Sequence, residues 1–155
     1  MAQATAIKGG SVRVYLGNDA NPTVYTAPCG FTSRSITINK ALSEEKLPDC
    51  DDPDKVPWTG RGATSKALEI SGEGVLAQQS LQTWLDALDS TDSVPVKIEI
   101  TFPKYSVTWE GKMQVDSLQI TAPNGEIVKA SISMKNDGEM VQTIKDENAN
   151  NNGGN

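Results

Sequence analysis

The densest run of chemically capable side chains is DCDDPD, which sets the carboxylates of Asp49, Asp51, Asp52 and Asp54 around Cys50. Clustered oxygens suit a hard cation such as calcium, whose binding loops begin with acids at alternate positions. Here Pro53 interrupts the spacing, and Gly60 stands where the closing bidentate acid belongs. The run therefore reads as a solvated or salt-bridged acidic loop. The chain has no histidine and 2 cysteines, whereas a zinc site wants four His/Cys ligands, or three and a water. Ser-His-Asp and Cys-His catalysis are excluded for a single chain on the same ground. GKMQ at 111–114 lacks the upstream glycines and following helix of a phosphate loop. Nothing in the pattern sets two carboxylates in an apolar pocket for acid–base work. Cys29 and Cys50 are either free thiols or a bridge tying the acidic stretch to the turn before it. The residues point away from an enzyme and call for no cofactor.

The frame around these side chains is small. At 155 residues the chain suits one domain with one core. Its 14 Lys+Arg against 20 Asp+Glu leave a net charge of −6, the wrong sign for an electrostatic grip on phosphates. No apolar run approaches the roughly 20 residues of a membrane-spanning helix. The start, MAQATAIKGGS, lacks the charged and apolar regions of a secretory signal, so use without Sec export is expected.

Alternation predicts strands. SVRVYLG (11–17) places Val12, Val14 and Leu16 on one face, and a brief strand is expected at Thr23–Tyr25 within the turn-rich 18–30. FTSRSITINK (31–40) buries Ile36 and Ile38 and turns Ser33, Ser35, Thr37 and Asn39 outward; KALEISGEG (66–74) buries Leu68 and Ile70 and exposes Glu69, Ser71 and Glu73. Between these two lies 41–65, rich in acids and prolines, which reads as a long loop without structure of its own. Loops of that length in compact domains are uncommon and usually functional. VLAQQSLQTWLDALDS (75–90) is the one convincing helix, with Ala77, Leu81, Trp84, Leu85 and Leu88 on an apolar stripe. VPVKIEITF (94–102) alternates without fault. YSVTWEGKMQVDSLQIT (105–121) alternates to Val115 and then changes parity to Leu118 and Ile120, as a β-bulge would require. PNG (123–125) signals a tight hairpin into EIVKASISMK (126–135). The expected fold is mainly β, a small antiparallel barrel or two-layer sandwich with one flanking helix, over residues 1–144. The polar, low-complexity 145–155 reads as a tail that only neighbouring subunits would order.

WEGKMQVDSLQITAPNGEIVKASISMKNDGEM (109–140) resembles the carboxy-terminal hairpin of bacteriophage tail tube proteins, the major tail proteins of long non-contractile tails. In that family a Gly-x-hydrophobic-x-hydrophobic-x-Ser-Leu strand precedes a tight turn and a strand of alternating Ser and hydrophobics, ending near a glycine, here Gly138. The wider order of strands, long loop, helix and further strands is similar over nearly the whole chain.

The resemblance implies hexameric rings that lend strands to one inner barrel and stack into a tube for DNA delivery. Partners would be copies of the chain itself and the terminator, tape measure and distal tail proteins, with DNA as passing cargo. The place would be the virion tail, assembled in the host cytoplasm. It implies further that 41–65 reaches the adjacent ring, with Trp58 as anchor and Glu44, Glu45, Asp49, Asp51, Asp52, Asp54 and Arg61 available for pairing. The alternative for Trp58 is that it folds back on its own domain. A conduit for DNA must not bind it, so Ser33, Ser35, Thr37, Asn39, Glu69, Ser71 and Glu73 are the lining candidates. Six copies at −6 each would carry about −36 per ring. Two other readings are a terminator or completion protein of the same fold and a non-viral β-sandwich binding module.

Overall fold

The computed structural model describes residues 3–17 and 24–147. Along the chain come β1 Val12–Gly17, β2 Tyr25–Thr26, β3 Phe31–Leu47, β4 Trp58–Val75, α1 Gln78–Asp89, β5 Val94–Phe102, β6 Tyr105–Thr121, β7 Lys129–Asn136 and β8 Val141–Asp146. All strands join one antiparallel sheet in the order β2-β1-β5-β6-β7-β4-β3, with β8 also on β6. Among the described residues the chain is mainly β with one α-helix, as expected, but the sheet is open rather than closed into a barrel. The ends of this path, β2 and β3, are free edges among the described residues, and so is the outer side of β8, which pairs only with β6.

The core follows from alternation. Val96 and Ile98 of β5 are fully buried, as are Met113 of β6 and Met134 of β7. They pack with Leu16, Leu68, Ile70 and Ile132 from the neighbouring strands. The parity change in β6 is a bulge: Val115 pairs with Met134 and Ser117 with Ser133, leaving Asp116 as the extra residue. The extra residue returns Leu118 to the core side, whereas Ile120 is half exposed.

The helix runs from Gln78 to Asp89 rather than from 75 to 90, because Val75 is still the last residue of β4. Its buried residues are Ser80, Trp84 and Ala87. The expected stripe is therefore rotated: Leu85 and Leu88 are each 37% exposed. Small side chains on either side of Trp84 let the helix sit close to the sheet, and Ser80 Oγ donates to the Cys29 carbonyl at 3.0 Å. Trp84 meets Phe31 edge to face, centroids 5.5 Å apart. Its buried indole N–H has no hydrogen-bond partner among the described residues.

Where β3 begins and β4 ends, the two backbones touch. A Cβ on Gly30 would lie 2.5 Å from the Val75 carbonyl, and one on Gly74 would collide with the Gly30 carbonyl. Gly30 also has φ +103°, so this crossing needs both glycines. The turn after β6 is broader than a two-residue hairpin. Glu126 N–H donates to the Pro123 carbonyl with Gly125 at φ +81°, and β7 begins only at Lys129.

Two expectations change, and one alternative is settled. Residues 41–47 and 58–65 are not loop: they continue β3 and β4, which pair from Phe31/Gly74 to Leu47/Trp58. Only 48–57 connects them. Both faces of this stretch are exposed, so no apolar alternation marked it as strand. Lys145 and Asp146, read as the start of a polar tail, complete β8 against β6; every residue of β8 is exposed, which removes the same signal. The rest of that tail, from 148, lies outside the described residues, as does Thr23 of the brief strand found at Tyr25–Thr26. Finally, Cys29 and Cys50 are free and exposed. The 17 residues of β3 lie between them, about 55 Å of extended chain, so no bridge can form within one chain.

Candidate interaction surfaces

Two surfaces are built by β3 and β4. The first is a polar sheet face. Antiparallel pairing places residues directly opposite one another on the same side. Ser33 faces Glu73, which faces Ser131, which faces Gln119. The next row is Ser35, Ser71, Ser133 and Ser117, and the third is Thr37, Glu69, Lys135 and Gln114. The lining candidates of β3 and β4 thus lie side by side, with Asn39 completing the column on β3. Sequence reasoning missed their continuation through Ser117, Gln119, Ser131 and Ser133. The signal was present in the outward positions of 117–133, but it needed the strand order to join it to the other half. Lys135 pairs with the bulged Asp116 at 3.9 Å. Glu69 and Glu73 have no ion-pair partner among the described residues.

The second surface is the far part of the β3–β4 hairpin, an arm that leaves the sheet. β4 pairs with β7 from Glu69 onward and only with β3 before that. A second bulge lies in the arm, where Ala41 pairs with Ser65 and Leu42 with Ala63; the extra Thr64 donates its hydroxyl to the Ala41 carbonyl at 3.2 Å. One side of the ribbon carries Leu47 opposite Trp58, with Glu45 opposite Gly60 and Ser43 opposite Gly62. Leu47 lies over Gly60, where a Cβ would come within 2.9 Å of it. The other side carries the Glu44–Arg61 pair at 3.3 Å between Leu42/Ala63 and Lys46/Thr59.

At the tip, Asp49 accepts the Asp51 N–H at 2.9 Å and pairs with Lys55 at 3.6 Å. Asp51, Asp52 and Asp54 have no ion-pair partner among the described residues. Trp58 is 82% exposed and Val56 85%, so Trp58 does not fold back on its own domain. Leu42 and Leu47 are also more than half exposed. This concentration of exposed apolar side chains at the end of a ribbon is the feature of an interaction surface rather than of a solvated loop.

Fold and surfaces together define a structural subunit: an open sheet with a broad polar face and a projecting, apolar-tipped arm. Residues 6–142 match the family model described as phage tail tube protein, and the chain belongs to that family. It is a structural virion protein of the tail tube. No curated protein sequence matches it. Among solved structures it is similar to the tail of an empty gene transfer agent particle refined with C6 symmetry, at 15% identity and TM-score 0.73, covering 89% of this chain and 99% of that one. The SPP1 tail tube aligns at 17% identity and TM-score 0.54, over 92% of this chain and 80% of that one. The tube-terminating cap of the anti-feeding prophage aligns at 19% identity and TM-score 0.57, over 94% and 95%. Family membership removes the non-viral binding module.

Proposed function

We propose that this chain is the repeating tube subunit, six copies to a ring, with the polar sheet face toward the lumen and the arm docked on the adjacent ring. The observation that carries the reading is the arm. A two-stranded ribbon is marginal by itself in water, and this one leaves Leu47, Val56 and Trp58 more than half exposed. Docking on a neighbour gives those side chains a partner and turns rings into a tube. The free edges at β2 and β3 support closure within the ring, since a long unpaired edge otherwise invites uncontrolled pairing.

The lumen assignment is supported by chemistry. Glu69 and Glu73 stand among hydroxyls, and Lys135, the one cation in these three rows, is paired with Asp116, so phosphates meet little free positive charge, which suits a surface DNA must slide past. The chain does no catalysis in this reading. It assembles in the host cytoplasm around a tape measure protein, between a terminator and a distal tail protein. A terminator of the same fold would cap tubes without extending them. Negative-stain imaging of the purified protein separates the two: the tube subunit forms long uniform filaments, and single rings alone would favour the terminator. Changing Glu69 and Glu73 to Lys should leave tubes intact and slow DNA ejection from assembled particles; unchanged ejection would remove these two residues from the lining.

A further inference from the structure

The arm leaves the sheet at a defined point. One residue beyond the β4–β7 ladder, the Leu68 N–H donates to Asn136 Oδ1 at 3.0 Å, and Asn136 Nδ2 donates to the Gly138 carbonyl at 2.9 Å. From there β7 passes through Gly138, at φ +88°, into β8, while β4 departs with β3. A cleft of about 610 Å³ opens between the root of the arm and β8, with Ile38, Lys40, Lys66, Trp109, Glu139 and Gln142 in its walls.

Lys40 and Lys66 stand directly opposite each other in the β3–β4 register. Like charges so placed repel and destabilise the pair. Neither lysine has an ion-pair partner among the described residues, and Glu139 is the one acid in the cleft wall. The other end of the same ribbon has the opposite surplus, in the unpaired Asp51, Asp52 and Asp54. Root and tip cannot meet within one chain, because the paired strand from Lys40 to Leu47 holds them roughly 25 Å apart. They can meet only between copies. A head-to-tail contact of this kind closes into a ring or repeats along an axis according to the rotation between copies, and stacked rings use the second.

We propose that the root cleft is the receptor for the arm, taking the acidic tip of a second copy in the adjacent ring so that Asp51, Asp52 and Asp54 meet Lys40 and Lys66. The inference rests on the stacking reading above and gives it an address. Ile38, 55% exposed at the cleft, and Val56 and Trp58 beside the tip supply the apolar surface around the charges.

The test is a charge swap on the full chain, read as the concentration at which purified protein forms tubes by sedimentation and negative stain. K40E/K66E should raise that concentration about tenfold, as expected for two exposed pairs per contact. D51K/D52K should do the same, and the four changes together should bring assembly back to within about threefold of wild type. Raising NaCl from about 0.05 to about 0.5 M should weaken wild-type assembly in the same direction. K40Q/K66Q, melting like wild type, guards against a folding artefact and should shift assembly less than the charge reversal. Assembly of K40E/K66E at the wild-type concentration, or a combined variant no better than either parent, overturns the proposal. If the charge variants assemble normally while removal of the arm abolishes tubes, the arm stacks elsewhere and only this receptor is wrong. If removal of the arm also leaves tubes intact, the stacking reading falls with it.

Discussion

β3 and β4 are each one strand with two different lives. Near the sheet, Leu68 and Ile70 are buried beneath the helix side of the fold while Ser33, Ser35, Glu69 and Ser71 face outward. In the arm the same two strands keep the same pairing, yet from Lys40 to Leu47 and from Trp58 to Lys66 nothing is buried. Hydrogen bonding is common to both halves, and burial is not. The first half is held by its own core. The second has only cross-strand contacts, and its apolar side chains cluster at the end farthest from that core. Pairing makes a strand, but burial decides what the strand is for.

The contrast can be broken most forcefully from the core side. Ile70→Ala, at a site only 3% exposed, should cost about 2–5 kcal/mol of folding stability; a thermal or urea melt of the unassembled protein measures it. The mirror-image change is Trp58→Ala. It should leave that melt within about 0.5 kcal/mol, yet weaken polymerisation as loss of a buried interface aromatic does, by about 2 kcal/mol or more. A large melting loss for Trp58→Ala would mean the arm belongs to the core after all.

Trp84 sharpens the core side. Trp84→Ala should cost about 3–5 kcal/mol through the cavity it leaves. Trp84→Phe should cost much less, because Phe refills most of that cavity and the change removes a buried N–H whose lack of a partner is itself destabilising by about 1–3 kcal/mol. A loss for Trp84→Phe close to that of Trp84→Ala would mean that the N–H has a partner that Phe leaves unsatisfied. Arg61→Ala should give the smallest effect. Its pair with Glu44 is more than half exposed at both ends, so the unassembled protein should melt within about 0.5 kcal/mol of wild type.

The same contrast explains what the sequence disclosed. β5 was plain because every second residue from Val94 to Phe102 is apolar and Val96 and Ile98 sit at the centre of the core. The bulge at Asp116 was legible because it changes the parity of a buried face. The arm and β8 were not, since a ribbon exposed on both sides has no reason to alternate. The helix was found but turned: leucines at 85 and 88 outrank Ser80 and Ala87 in hydrophobicity, yet the smaller residues fit against the sheet. Half of the polar face was legible on β3 and β4. Ser117, Ser131 and Ser133 joined it only through the strand order, a long-range property that no local pattern carries.

On the stacking reading, the arm, idle in the free subunit, is what joins ring to ring. The direct measurement replaces residues 43–62 with a short Gly/Ser linker and compares melting with tube formation in one preparation. Loop closure entropy grows slowly with length, so the exchange is tolerable to the fold. A cooperative melt close to wild type and no tubes by negative stain are the expected result. Tubes of normal length from that protein would contradict the stacking reading.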